Sequence, residues 1–136
     1  DTFNLKDNIL LPLVLKGVPY REMSQKLMPI AEELGIAGLL EKYPYEVSGG
    51  QKQRAAAARA LITEPRLLLA DEPTGNLDSA TSHEVLGLLK MAARQFSQTI
   101  ILITHDRDIA QLADRIVHIE DGKIVGNTGK GSELHA

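Results

Sequence analysis

The sequence predicts an α/β fold in which buried parallel strands alternate with helices. Two apolar runs, residues 67–70 and 99–104, lack the alternation of a half-buried strand and are typical of parallel strands buried on both faces. A helical pattern over residues 81–96 separates the two runs, which is the order of a strand–helix–strand unit. Helical patterns occur between residues 20 and 64, so we expect a helical subdomain over residues 1–64 followed by a mostly parallel sheet.

The composition is that of an ordinary globular domain. The chain has 136 residues, of which 43% are hydrophobic and 24% charged. A net charge of −3, with no stripe of lysine or arginine, gives no electrostatic support for a nucleic-acid partner. The sequence contains no cysteine, which excludes disulfides and cysteine-based metal sites and fits a reducing compartment.

The first part of the chain is expected to be helical from residue 20 onwards. Residues 1–19 mix apolar and turn residues, and they are assigned no helix or strand. Residues 20–34 place apolar side chains at helical spacing, with Gly35 as the stop. Pro29 lies inside this pattern and is expected to kink or divide the helix. One more short helical turn is expected over residues 38–42.

The next stretch predicts a helix that starts at an anion site. Ser48 is a good N-cap, and Gln51 three residues later completes a capping box. Gly49 and Gly50 leave the backbone N–H groups of this helix start bare of side chains. Unpaired N–H groups at the positive end of the helix dipole bind anions, most often phosphate. The alanine-rich helix is expected to end at Pro65.

Two carboxylates follow the first apolar run. Asp71 and Glu72 are expected at the carboxyl end of the strand, where open α/β sheets place their ligands. One of two neighbouring carboxylates can hold a metal ion while the other polarises a water. Each feature alone is weak, since capped helix starts and strand-end carboxylates are common. Their occurrence in this order is what points to a functional site.

Further elements are predicted toward the end of the chain. Thr81 and Glu84 predict a second capping box, which opens the helix over residues 81–96. A short helix is expected over residues 108–114. Asp121 and Gly122 are a strong hairpin signal between two short strands. The polar, glycine-rich tail from Gly126 is expected to be loose or disordered.

The order of these features closely resembles the nucleotide-binding domain of ABC ATPases. Residues 47–51, VSGGQ, resemble the family signature, usually LSGGQ, and residues 67–71 resemble the Walker B strand. Glu72 matches the catalytic glutamate, residues 75–78 the D-loop, and His105 the switch histidine. The sequence ADEPTGNLD, residues 70–78, further resembles that of the subfamily that serves lipoprotein-releasing, macrolide-exporting and bacitracin-type peptide-detoxifying membrane partners.

The resemblance implies ATP and Mg²⁺ as cofactors and assigns the site residues. The nucleotide would be bound by residues of the signature and the D-loop, namely Ser48, Gly49, Gly50, Gln51 and Asp78. Asp71 would hold Mg²⁺ and Glu72 would polarise the attacking water. His105 would contact the γ-phosphate.

The resemblance also implies partners and a place in the cell. Each ATP would lie between two nucleotide-binding domains, and a transmembrane permease subunit would be the second partner. The chain would then be part of a peripheral, ATP-hydrolysing subunit at the cytoplasmic face of the membrane. It would couple ATP hydrolysis to transport across, or extraction from, that membrane.

The Walker A motif, or P-loop, is absent from this sequence, as is the Q-loop glutamine. The chain therefore resembles the C-terminal portion of a P-loop NTPase core, and alone it is expected to be inactive. In the family the Walker A strand lies beside the strand that ends at His105, so this strand is expected to be a sheet edge. The expected division is a helical subdomain with the signature helix (1–64), the C-terminal part of the ATPase core (65–126) and a polar tail (127–136).

Two alternatives stay open at this point. An ABC-type ATPase of DNA repair or chromosome maintenance shares the signature and Walker B. Against that alternative, residues 1–46 hold no sustained heptad and the chain has no zinc-binding cysteines. A truncated, non-catalytic product that only pairs with a partner is also compatible with the sequence.

Overall fold

Helices form the first half of the chain, and a strand–helix–strand unit follows them. The structure is a computed structural model and describes residues 2–129. The helices are α1 (Leu5–Leu15), α2 (Tyr20–Glu33), α3 (Gly49–Leu61), α4 (Ser79–Gln95) and α5 (Arg107–Ala110), with 3₁₀ turns at Ala37–Leu39 and Pro44–Glu46. The strands are β1 (Leu67–Asp71), β2 (Thr99–Ile103), β3 (Arg115–Glu120) and β4 (Lys123–Gly129). Within residues 2–129, no helix combines the length and apolar character needed to cross a bilayer.

The strands of the described residues form two separate sheets. β1 and β2 pair in parallel, with Leu67 opposite Thr99 and Asp71 opposite Ile103. Because β1 and β2 are parallel, their carboxyl ends lie side by side. β3 and β4 form an antiparallel hairpin, whose turn residues Asp121 and Gly122 have φ of 47° and 73°. These positive values are those of a type I′ turn, so the predicted hairpin is confirmed.

One hydrophobic core joins the helices to the parallel sheet. Its largest fully buried side chains are Ile9, Leu34, Ile36, Leu61 and Ile62. Leu68 of β1, Leu86 and Leu89 of α4, and Ile109 of α5 belong to the same cluster. Burying a side chain of this size contributes about 1.5–3 kcal/mol. Residues on both sides of the predicted boundary at 64/65 therefore share one core.

Helix α1 lies in a segment to which the sequence analysis assigned no helix. Asn4 caps it, because Asn4 Oδ1 accepts a hydrogen bond of 2.8 Å from the Asp7 N–H. Its buried side chains, Leu5, Ile9, Leu10 and Leu13, form an apolar face against the core. Pro12 lies inside α1, and α2 likewise continues through Pro29, so the expected division of α2 does not occur. Packing of the apolar faces outweighs the hydrogen bond that each proline removes.

Helix α4 begins earlier than the sequence analysis expected. Asp78 is its N-cap, and Asp78 Oδ1 accepts a hydrogen bond of 2.9 Å from the Thr81 N–H. The predicted capping box of Thr81 and Glu84 is therefore wrong. An aspartate is at least as good a cap as a threonine, and it stands one turn earlier.

The parallel strands are buried on one face, whereas the sequence predicted burial on both. Leu68 is 8% exposed and packs into the core, but Leu69 is 74% and Ile103 58% exposed. Leu67 and Ile101 are exposed on these strands as well. Successive strand side chains point to opposite faces, and residues 2–129 supply helices to one face only. β2 has β1 as its one partner among the described residues, so the expected sheet edge is confirmed.

The end of the described chain is more regular than expected. Residues 126–129 belong to β4, where Gly126 pairs with His118 and Gly129 with Arg115. The expectation of a loose tail from Gly126 is therefore wrong for these four residues. Their backbone hydrogen bonds to β3 compensate for the low apolar content of the segment. Residues 130–136 lie outside the described part of the chain.

Candidate functional site

The start of α3 has the predicted capping box. Ser48 Oγ accepts a hydrogen bond of 3.2 Å from the Gln51 N–H, and Gln51 Oε1 accepts one of 2.9 Å from the Ser48 N–H. Gly49 and Gly50 are the first two residues of the helix, so their N–H groups have no acceptor within it. The helix start can therefore offer backbone donors to an anion.

The two glycines allow this helix start to lie directly against the start of α4. A Cβ added to Gly49 would lie 3.1 Å from Leu77 Cδ2, and one added to Gly50 would lie 2.7 Å from Thr81 Cγ2. No real Cβ tolerates the second distance without a shift of its surroundings. Gly50 is therefore needed for packing as well as for access to its backbone.

The ends of β1 and β2 bring Glu72 and His105 together. The Glu72 N–H donates to the Ile103 carbonyl at 2.9 Å and extends the parallel pairing by one residue. Glu72 Oε1 accepts from the His105 N–H at 2.8 Å and lies 2.6 Å from His105 Nδ1. An ionised carboxylate only accepts, so Nδ1 carries the hydrogen in this contact and Nε2 faces away from Glu72.

The electrostatics of Glu72 follow from these contacts. The His105 imidazole that bonds to Glu72 holds the pKa of the Glu72 carboxyl below its usual range, and the His105 N–H and Thr104 hydroxyl add to this effect. A lowered pKa keeps the carboxylate ionised and makes it a weaker base. The arrangement is thus suited to holding and polarising a water rather than to removing its proton outright.

The backbone between Glu72 and Asp78 forms a tight turn. Glu72 has a φ of 42°, in the left-handed region that non-glycine residues seldom adopt. The Gly75 N–H donates to the Glu72 carbonyl at 3.2 Å, and the Leu77 N–H donates to the Thr74 carbonyl at 3.0 Å. Such strained positions concentrate at functional sites. The turn leads directly from the strand end to the cap of α4.

The Asp78 carboxylate accepts hydrogen bonds from the first turn of α4, which it caps. Besides the Thr81 N–H, it accepts a hydrogen bond of 2.6 Å from the Thr81 hydroxyl at Oδ2. These bonds, the hydroxyl first, hold the pKa of the Asp78 carboxyl below its usual range. The carboxylate therefore fixes the position of α4 relative to the turn.

Asp71 is the last residue of β1 and is exposed at the strand end. Among residues 2–129, no three or more histidine, aspartate or glutamate side chains are grouped to hold a metal ion. Mg²⁺ in nucleotide sites uses one or two carboxylates and takes its other ligands from phosphates and water. A single hard carboxylate such as Asp71 fits that mode of binding.

Thr104 belongs to the site, although the sequence analysis gave it no role. Its hydroxyl donates to Glu72 Oε2 at 3.3 Å and accepts from the Asp106 N–H at 3.1 Å. It therefore orients the second oxygen of the Glu72 carboxylate. A hydroxyl directly before His105, at the end of the second strand, was the signal that could have found it.

The predicted site residues fall into two groups. Asp71, Glu72 and His105 lie at the ends of the two parallel strands. The other group lies at the starts of α3 and α4 and consists of Ser48, Gly49, Gly50, Gln51 and Asp78. The turn over residues 72–78 connects the two groups.

Comparisons with known proteins show the family to which the chain belongs. A family model described as ABC transporter matches residues 2–75. The bacitracin export ATP-binding protein BceA of Halalkalibacterium halodurans is 46% identical over 98% of this chain and 53% of its own length. The lipoprotein-releasing system ATP-binding protein LolD of Bacteroides fragilis is 41% identical over 90% of this chain and 57% of its own.

A solved structure shares the fold. It is a dimer of an ATP-binding cassette in a post-hydrolysis state with ADP and Pi, and it matches with a TM-score of 0.76 and 29% identity. The match covers 97% of this chain and 59% of that one. The chain thus spans about half the length of these two curated relatives. The family model covers more than half of the chain, and the chain therefore belongs to the ABC transporter family of ATP-binding proteins.

Proposed function

We propose that this chain forms the signature-bearing part of an ATP-hydrolysing subunit of an ABC transporter, which couples ATP hydrolysis to transport across, or extraction from, a membrane. The observation that carries the proposal is the contact of Glu72 with His105 at the ends of β1 and β2, one residue beyond Asp71. A carboxylate for the metal, a carboxylate for the water and an imidazole then lie at one sheet edge, where phosphoryl transfer needs them.

The two groups of site residues serve two different nucleotides in this proposal. The strand-end group acts on the ATP of its own domain. The starts of α3 and α4 face the ATP held by a second nucleotide-binding domain, because helix N-termini attract phosphate. The dimeric state of the solved relative with ADP and Pi supports this pairing.

Each strand-end residue has a defined task in the reaction. Asp71 would hold Mg²⁺, which neutralises charge on the phosphates when it is bound. Glu72, oriented by Thr104 and His105, holds the attacking water in line. Because Nδ1 of His105 is engaged with Glu72, Nε2 would be the nitrogen that contacts the γ-phosphate. Positioning and charge stabilisation supply most of the catalysis in such reactions.

The partner proposed for the assembled subunit is a transmembrane permease, at the cytoplasmic face of the membrane. The roles of these two relatives, bacitracin export and lipoprotein release, support a transport role over a role in DNA repair or chromosome maintenance. The chain would attach to the membrane peripherally, through that permease.

The proposal is tested with the chain alone and with a fusion. In the fusion, the part of the Halalkalibacterium halodurans relative that this chain does not match is joined to the N-terminus of this chain, because the family resemblance implies a P-loop there. The fusion is expected to bind Mg-ATP and hydrolyse it, whereas the chain alone shows no ATPase activity above background. A micromolar Kd of the chain alone for Mg-ATP (roughly −8 kcal/mol), measured by calorimetry, would contradict the proposed need for a P-loop.

A second arm tests the role of the α3 start. Gly49→Asp in the fusion puts a negative charge where the partner's phosphate would dock, so it is expected to block ATP-driven dimerisation in size-exclusion chromatography. Gly38→Asp is the matched control, because a side chain at Gly38 meets nothing within 4 Å. Normal dimerisation and turnover of Gly49→Asp would mean that residues 48–51 only start a helix.

A further inference from the structure

Helices α3 and α4 start side by side. Gly49 and Gly50 abut Leu77 and Thr81 at the two helix starts. One turn further along both helices, Arg54 Nη2 lies 2.5 Å from Glu84 Oε1. Because the two helix starts are in contact, their positive dipole ends are neighbours. Two such ends repel each other, so a contact that ties the two helices together opposes their separation.

Arg54 is placed to provide that contact. Its side chain is only 15% exposed, whereas the side chain of its partner Glu84 is 60% exposed. The other side of its guanidinium meets the end of α2, where a Cβ on Gly35 would lie 3.4 Å from Arg54 Nη1. In the described part of the chain its Nε has no hydrogen-bond partner. A cation this buried depends on the Glu84 carboxylate, because no other ion pair of Arg54 occurs among residues 2–129.

We propose that Arg54 is a positioning residue whose ion pair with Glu84 locks the signature-helix start to the D-loop end of α4. This inference rests on the proposed function, in which both helix starts meet the ATP of a partner domain. Arg54 itself touches no nucleotide. It holds Ser48–Gln51, at the start of α3, at a fixed distance from Asp78, at the start of α4. The two helix starts can then meet the phosphates as one rigid surface.

The first experiment measures steady-state ATP hydrolysis by the fusion. Arg54→Gln and Glu84→Gln are each expected to lower kcat about tenfold or more. The KM for ATP is expected to change less than about twofold, because the P-loop sets ground-state binding. Exchanging the charges, with Arg54→Glu and Glu84→Arg together, is expected to restore most of the lost kcat. Arg59→Gln is the matched control, since Arg59 lies on the same helix and is exposed.

The kinetic outcomes are decisive in both directions. An unchanged kcat in Arg54→Gln would overturn the proposal, as would a charge exchange that restores nothing. A fusion without any ATPase activity would count against the proposed function instead, and the second experiment then judges the ion pair without ATP.

The second experiment follows amide hydrogen exchange in the 136-residue chain. The Lys52 and Ser82 N–H groups make the first bonds of α3 and α4, to the Ser48 and Asp78 carbonyls. Arg54→Gln is expected to speed exchange about tenfold at both of these amides and to leave α1 unchanged. In the double variant with Arg54→Glu and Glu84→Arg, hydrogen exchange at these two amides is expected to be slow again. Faster exchange throughout the chain, or no change at the two helix starts, would overturn the positioning role.

Discussion

Glu72 is the residue on which the proposed hydrolysis depends, and both of its carboxylate oxygens are engaged. His105 donates to Oε1 through its N–H, and Thr104 donates to Oε2. A lowered pKa together with a fixed orientation favours polarising a water over full proton removal. The chemistry of this one side chain thus depends on hydrogen bonds from residues 32 and 33 positions away in sequence.

Glu72→Gln in the fusion tests this role. The amide keeps the size and most hydrogen bonds of the carboxylate but loses its charge, so ATP binding is expected to persist. Turnover is expected to fall roughly 100-fold or more, and ATP-bound dimers are expected to accumulate. Turnover is measured by phosphate release and dimers by size-exclusion chromatography. Glu64→Gln, which removes a distant exposed carboxylate, is the control and is expected to keep full turnover. A Glu72→Gln fusion with most of its activity would remove Glu72 from catalysis.

Asp78 makes the stability of the chain depend on pH at the acidic end. Its pKa in the folded chain lies below the ordinary value of 3.8. A carboxylate whose pKa is lowered by folding stabilises the folded state at pH values above its ordinary pKa. This stabilisation is lost as the pH falls through the pKa of the folded state. Asp78→Asn is therefore expected to lower Tm at pH 7, by a small amount because the side chain is exposed. The Tm difference from the unmodified chain is expected to vanish well below pH 3.8. A difference that is the same at neutral pH and well below pH 3.8 would exclude a charge effect.

At the scale of secondary-structure elements, the contact between α3 and α4 sets the relative position of the two helix starts that are proposed to face the partner's ATP. Gly50 permits this contact, and the Thr81 side chain that it meets is held by its own hydrogen bond to Asp78. A glycine in this position is thus explained by the approach of two helices. Gly87, in the middle of α4, has open space around it and no such reason.

Gly50→Ala and Gly87→Ala are expected to change stability in opposite directions. The added methyl at residue 50 collides with Thr81, which cannot rotate away without losing its hydrogen bond, so the expected loss is about 1–3 kcal/mol. The methyl at residue 87 reduces unfolded-chain entropy without a clash, and the expected gain is about 0.5–1 kcal/mol. Urea denaturation of the two variants measures both values. A stabilised Gly50→Ala variant would show that α3 and α4 are not in close contact in solution.

For the molecule as a whole, the open face of the parallel sheet is the most unusual feature of the described residues. Leu67, Leu69, Ile101 and Ile103 expose adjacent apolar surface on it. Contiguous apolar patches on a sheet promote association between molecules. The chain is therefore expected to self-associate at high concentration.

Replacing side chains on this face is expected to reduce self-association. Leu69→Thr and Ile103→Thr introduce β-branched residues that suit a strand and add a hydroxyl, so they lower the apolar area without emptying the core. Analytical ultracentrifugation at increasing concentration measures the effect. Leu68→Thr is the contrasting variant, since Leu68 is 8% exposed and its loss is expected to destabilise the fold by roughly 2–4 kcal/mol. Equal association of the Leu69→Thr variant and the unmodified chain would contradict the role of the face.

Features that depend on residues a few positions apart could be predicted from the amino-acid sequence. The capping box of Ser48 and Gln51 and the turn at Asp121 and Gly122 both formed as predicted. Their hydrogen bonds and backbone angles are set within three or four residues, so the residue types there are sufficient to indicate them. The family resemblance also followed from sequence, because its motifs keep a fixed order along the chain.

Contacts between distant segments, by contrast, determine which surfaces meet. Packing made α1 a helix despite Pro12, engaged Thr104 with Glu72, and set Gly50 against Thr81. One face of the β1–β2 sheet is exposed, although both strands are rich in apolar residues. An apolar run indicates that a segment can be buried, but whether it is buried depends on whether another layer of the structure covers it. The position of such a layer is set by contacts between residues far apart in sequence, which local patterns do not encode.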